Sequence, residues 1–119
     1  NAERILKMKV KRGDIVYLKK DFPSEDHIQG GVRPYLVVSN DIGNQHSEIC
    51  MIVPLTHSEK HLHLPTHTQI FYNHSVVICE QIFTISQKSI KNREFHLNES
   101  EMQKVNRCLK IAIFGRGKR

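Results

Sequence analysis

Eight histidines in 119 residues are the first feature with chemical content, and four of them, His57, His61, His63 and His67, fall in one stretch. Imidazole binds zinc and moves protons near neutral pH, so a metal centre is the first hypothesis to weigh. The spacing argues against it. His57 and His61 would share a face only on a helix, whereas Ser58, Pro65 and Thr66 mark the stretch as a connection between strands. No cysteine or carboxylate at ligand spacing completes a tetrahedral set, so no metal and no cofactor is expected, and the stretch reads as a polar, solvated loop able to touch phosphates. Glu99 with Glu101 suits charge placement at a helix start, and Glu25 with Asp26 suits a solvated loop. No nucleophile elbow of the G-x-S-x-G kind, Walker loop or G-x-G-x-x-G fingerprint occurs, which removes the usual support for serine hydrolysis, nucleotide hydrolysis and dinucleotide binding. Arg33 is left: it follows Gly30, Gly31 and Val32 and precedes Pro34, at the mouth of an apolar run. Taken alone, an arginine there is a surface charge.

The elements that must position such residues are mostly strands. Apolar, β-branched runs at 15–18, 35–39 and 49–55 predict three strands, the last two joined by a compact connection at 40–47 rich in Asn, Asp and Gly. Shorter strands are predicted at 66–72, 75–79 and 81–85, with Asn73 and His74 as the turn between the first two. Residues 19–31, with Pro23, Gly30 and Gly31 among charges, read as a long functional loop. Then the period changes. Met102, Val105, Leu109, Ala112 and Ile113 recur at helical spacing, Asn98 is a good N-cap, Glu101 can complete a capping box, Leu97 can staple onto Met102, and Gly115 stops the helix. Many short strands and one terminal helix predict a mainly β domain, a small barrel or half-barrel closed by the helix.

Size and charge narrow the function. A chain of 13.8 kDa suits one domain, expected at 9–115, with an N-terminal extension at 1–8 and a basic tail at 116–119. Lys and Arg outnumber Asp and Glu by 18 to 12, and the resulting +6 suits a polyanionic partner, nucleic acid first. Cys50, Cys79 and Cys108 cannot all pair within one chain and sit among apolar residues, which predicts buried free thiols and a reducing, cytoplasmic setting. Neither a secretory signal pattern nor a run long enough to span a bilayer occurs.

Three blocks in order, RGDIVYL from Arg12, QGGVRPYLVVSNDIGNQHS from Gln29, and MIVPLT ending at Thr56, closely resemble the MazF/PemK family of toxin endoribonucleases. LPTH from Leu64, SVVICEQI from Ser75 and the amphipathic helix extend the likeness across about residues 9–114. The resemblance implies an SH3-like small β-barrel with a C-terminal helix, a homodimer, and metal-independent cleavage of single-stranded RNA within a toxin and antitoxin pair. It also implies an acidic antitoxin whose flexible segment blocks the RNA groove. The family's catalytic arginine falls on Arg33 and its threonine on Thr56; Gln29, Gly30, Gly31, Leu64 and Gln81 fall on positions that meet RNA. Ile28 and Phe83 depart from residues common in Gram-positive relatives, an acid and an arginine, and so bear on cut-site choice.

The residue types fit the chemistry. RNA can be cut by its own 2′-hydroxyl, which leaves the enzyme to align that oxygen, stabilise a doubly charged phosphorane and protonate the leaving oxygen, with a 2′,3′-cyclic phosphate and a 5′-hydroxyl as products. A guanidinium suits the stabilising role, and a threonine hydroxyl can add a donor. His57 is the orthodox acid or base beside them, but strand alternation would turn it to the opposite face, where it reads as a phosphate-facing loop residue. Phe83 is either a stacking surface for a base or a core aromatic. The alternative from another class is a non-catalytic interaction module like the gyrase-poisoning CcdB proteins, which share this barrel by family analogy.

Overall fold

The computed structural model describes residues 9–20 and 33–117. Among these residues seven strands, β1 (Asp14–Leu18), β2 (Tyr35–Val37), β3 (Ile49–Thr56), β4 (His67–Gln69), β5 (Val76–Ile78), β6 (Phe83–Ser86) and β7 (Ile90–His96), accompany two α-helices, α1 (Asp41–His46) and α2 (Glu99–Phe114), and two short 3-10 turns at Tyr72–His74 and Gln87–Ser89. All paired strands run antiparallel in the order β4-β5-β3-β2-β1-β7, with β6 also on β3. The long β3 makes this possible. Its first half, Ile49 to Ile52, pairs with β6, and its end, Leu55 and Thr56, pairs with β5. The sheet curls without closing by hydrogen bonds among the described residues; instead the ring of Tyr72, just after β4, packs on Phe95 of β7 with centroids 5.3 Å apart.

Both faces of the central strands are buried, which is why β2 and β3 read as continuous apolar runs rather than alternating ones. Ile15, Leu36, Val53, Leu55 and Val77 turn to one face and pack under Leu97, Met102, Val105, Cys108 and Leu109 of the α2 region. Val16, Leu18, Tyr35, Val37, Cys50, Ile52, Ile85 and Ile90 turn to the other, and Phe83 packs against them. All three cysteines are buried and free, as the sequence predicts.

Three local features differ from expectation. The connection at 40–47 contains a helical turn, because Asn40 caps it by accepting from Gly43 N at 2.7 Å. Strand β7, absent from the sequence reading, pairs along the whole of β1, and its sequence IKNREFH shows no alternation because all but Ile90 are exposed. Asn98 does cap α2, accepting from Glu101 N at 2.9 Å, but the Glu101 carboxylate does not return to complete the box. It accepts from Phe71 N at 2.7 Å and is buried, tying the helix start to the end of the β4 hairpin arm.

Candidate active site

The site is built at the end of β3. In the β2–β3 register Tyr35 faces Pro54, and Leu55 N donates to Pro34 O at 3.1 Å, which carries the pairing past the end of β2. Continued by one residue, that register sets Arg33 across from Thr56. Both are half-buried, at the side of the sheet where Tyr35 and Ile52 turn to the second core. Thr56 is the last residue of its strand, and its Oγ1 accepts from Ser58 N at 3.2 Å, a turn that bends the chain away. In doing so the hydroxyl keeps its own proton to donate. His57 sits on that turn, exposed, beyond the reach of strand alternation.

Leu64 and Gln81 lie beyond the other end of the β4–β5 hairpin, past the His67–Ile78 pair, and a residue that sequence reasoning missed connects their two turns. Leu64 is half-buried in a turn, its N donating to His61 O and its O accepting from His67 N. Gln81 is exposed in the turn between β5 and β6, with its N donating to Ile78 O. Glu80 joins the two turns: its carboxylate accepts from Thr66 Oγ1 at 2.8 Å and meets His67 Nε2 at 3.0 Å. Partial burial alone would raise the Glu80 carboxyl, but hydrogen bonds from His67, Thr66 and its own backbone N–H outweigh it and hold the group below its ordinary value. No motif marks Glu80, because its partners stand 13 and 14 residues earlier and meet it only when β4 pairs with β5. Gln29, Gly30 and Gly31 lie outside the described residues, as does Ile28.

Two readings of side chains are sharpened. His67 is not part of a solvated loop: its side chain is 7% exposed, it belongs to β4, and its ring is committed to Glu80. His61 and His63 are exposed, with rings 6.3 Å apart, and among the described residues no three His, Cys, Asp or Glu come together to hold a metal ion. Phe83 is half-buried opposite Ile52 and packed on the second core, which favours the core reading over the stacking one.

The family model for PemK-like, MazF-like toxins of type II toxin–antitoxin systems matches residues 11–113. The chain belongs to that family. Endoribonuclease EndoA of Bacillus subtilis is 39% identical over 89% of this chain and 96% of its own length, and Endoribonuclease MazF of Staphylococcus epidermidis is 34% identical over 87% and 91%. Among solved structures, an endoribonuclease in complex with its cognate antitoxin from Mycobacterial species superposes with a TM-score of 0.74 at 21% identity, over 92% of this chain and 99% of that one. MazF in a MazE–MazF crystal from Deinococcus radiodurans gives 0.70 at 21% identity, over 92% and 98%. This MazF/PemK family member therefore has the fold expected of it, with the sheet left open. No helix among the described residues is long and apolar enough to cross a membrane.

Proposed function

We propose that this toxin-family protein is a sequence-selective endoribonuclease that cuts single-stranded RNA without a metal. The observation that carries the reading is the β2–β3 register, extended by Leu55 N donating to Pro34 O, which sets Arg33 across from Thr56 and so offers a guanidinium and a hydroxyl donor from neighbouring backbone positions. Two such donors suit the charge that develops on a phosphorane when the 2′-hydroxyl attacks, and a partly buried guanidinium keeps its charge there. Arginine is a poor base, since it stays protonated near neutral pH, so its role is stabilisation rather than proton removal. His57, exposed on the turn next to Thr56, is the imidazole placed to exchange a proton or to hold a neighbouring phosphate.

Gln29, Gly30, Gly31, Leu64 and Gln81 are assigned to RNA contact, with the Glu80 bridge holding the last two at a fixed separation. The products are a 2′,3′-cyclic phosphate and a 5′-hydroxyl end. The working form is a cytoplasmic homodimer with RNA across both subunits, inhibited by an acidic antitoxin that competes for Arg33, His57 and the loop at 19–31. End mapping on one long RNA, in excess EDTA, tests the reading: wild type should cut at a short recurrent sequence and leave 5′-hydroxyl ends. Folded Arg33→Ala and Thr56→Ala should each lose at least about 100-fold in rate, the scale expected for removing a transition-state donor. Full cleavage by folded Arg33→Ala would overturn it.

A further inference from the structure

We propose that Gln69 is a further specificity-determining residue, presenting one fixed hydrogen-bond acceptor to a nucleobase N–H beside the cut; this rests on the Arg33–Thr56 reading above. Val76 pairs with Thr56 on one side and with Gln69 on the other. Residues paired across antiparallel strands share a face, so Arg33, Thr56, Val76 and Gln69 form one row on one side of the sheet. At the usual strand spacing Gln69 stands about 10 Å from Thr56. Val76 is 1% exposed between them, an apolar floor flanked by two half-buried polar side chains.

The Gln69 amide is held in one orientation. Its Nε2 donates to Glu59 Oε2 at 2.9 Å and to His74 O at 3.1 Å. Both acceptors lack protons, so the nitrogen must face them, and both of its hydrogens are used. The remaining polar atom is Oε1, which can only accept. Glu59 lies on the connection after Thr56 and His74 on the tip of the β4–β5 hairpin, so the two segments that flank the row fix this amide between them. An acceptor whose direction is set before binding discriminates by position on the base edge: an amino or imino N–H there is satisfied, and a carbonyl oxygen there is repelled. Phosphate and ribose binding stays with the cationic and hydroxyl groups nearer the cut.

The test is the cut-site profile of the full chain on a long RNA and on a set of oligonucleotides varied one base at a time around the cleaved bond. Gln69→Met keeps the side-chain length and removes the acceptor. It should relax the preference at one flanking position by about tenfold, while cleavage at sites already carrying a disfavoured base there stays within about twofold. Glu59→Ala, at an exposed loop position, should relax the same position by releasing the amide, and it serves if Gln69→Met does not fold. An unchanged profile in either folded variant overturns the inference. Arg33→Ala run alongside separates the two failures: if it still cleaves, the reading of the site falls, and if it is inactive while Gln69→Met keeps the wild-type profile, only the role of Gln69 falls.

Discussion

Glu80 shows how one side chain can matter through what it holds. Its carboxyl lies below the ordinary value of 4.5 because Thr66 and His67 stabilise the charged form more than partial burial disfavours it. A carboxyl with a depressed folded value adds stability that is present above the unfolded value and lost as the pH falls through the folded one. Urea unfolding followed from neutral pH into acid should therefore show an acid-sensitive increment below about pH 4.5 in wild type that is missing in Glu80→Gln. Parallel acid limbs in the two proteins would contradict it. The cysteines make the opposite point. Burial pushes the Cys50 thiol up to about 11 and the Cys79 thiol higher still, and it raises Cys108 too. Thiolate is the reactive form, so iodoacetamide near pH 8 should leave all three unmodified in the native protein and label them after unfolding.

At the scale of elements, the short turn between β6 and β7 is held by Gln87. Its side-chain nitrogen lies within 2.9 to 3.3 Å of the carbonyls of Asn44, Ser47 and Ile49, and its oxygen accepts from Val10 N at 3.0 Å. One buried amide thus ties the N-terminal strand approach, the α1 turn and the start of β3 to the arm that delivers β7. Gln87→Ala leaves these groups buried without partners and should cost about 2 to 3 kcal/mol in urea unfolding. At the far end of β7, Asp14 is buried and accepts from Lys11 N and, in contact at 2.8 Å, faces His96 Nδ1. Those polar contacts fix β7 on β1 where the strand's own side chains supply little burial.

For the whole molecule, net charge and exposed apolar surface set the predictions. A chain carrying +6 should hold RNA through phosphate contacts that release counterions, so binding of an uncleavable RNA should weaken steeply as salt rises. Ile49, Met51, Phe71, Phe95, Ile113 and Phe114 are all exposed, apolar surface that the proposed dimer can draw on. Static light scattering should give about twice the 13.8 kDa chain mass at micromolar concentration. A strict monomer would contradict the assembly proposed for RNA binding. An acidic antitoxin peptide should displace that RNA, and simultaneous binding without loss of either affinity would exclude a shared site.

The strands β1, β2 and β3, the α2 helix with its Asn98 cap, and the free buried cysteines were legible in the sequence because each rests on local pattern: β-branched runs, a 3.6-residue stripe, an N-cap. The proposed roles of Arg33 and Thr56 come from their place in family blocks, and no local pattern in the chain marks them out. Strand β7 was not legible, since it lies exposed on one edge and is held by pairing to residues some eighty positions away, a long-range cause that leaves no periodicity. Glu101 satisfied the helix pattern, yet its carboxylate went to Phe71 N, because a buried carboxylate goes to the donor the fold brings nearest. The row Arg33, Thr56, Val76, Gln69 exists only in three dimensions. Sequence fixes which side chains a strand offers to each face, but which strands stand side by side, and therefore which offers meet, is decided when loops close and the register is set.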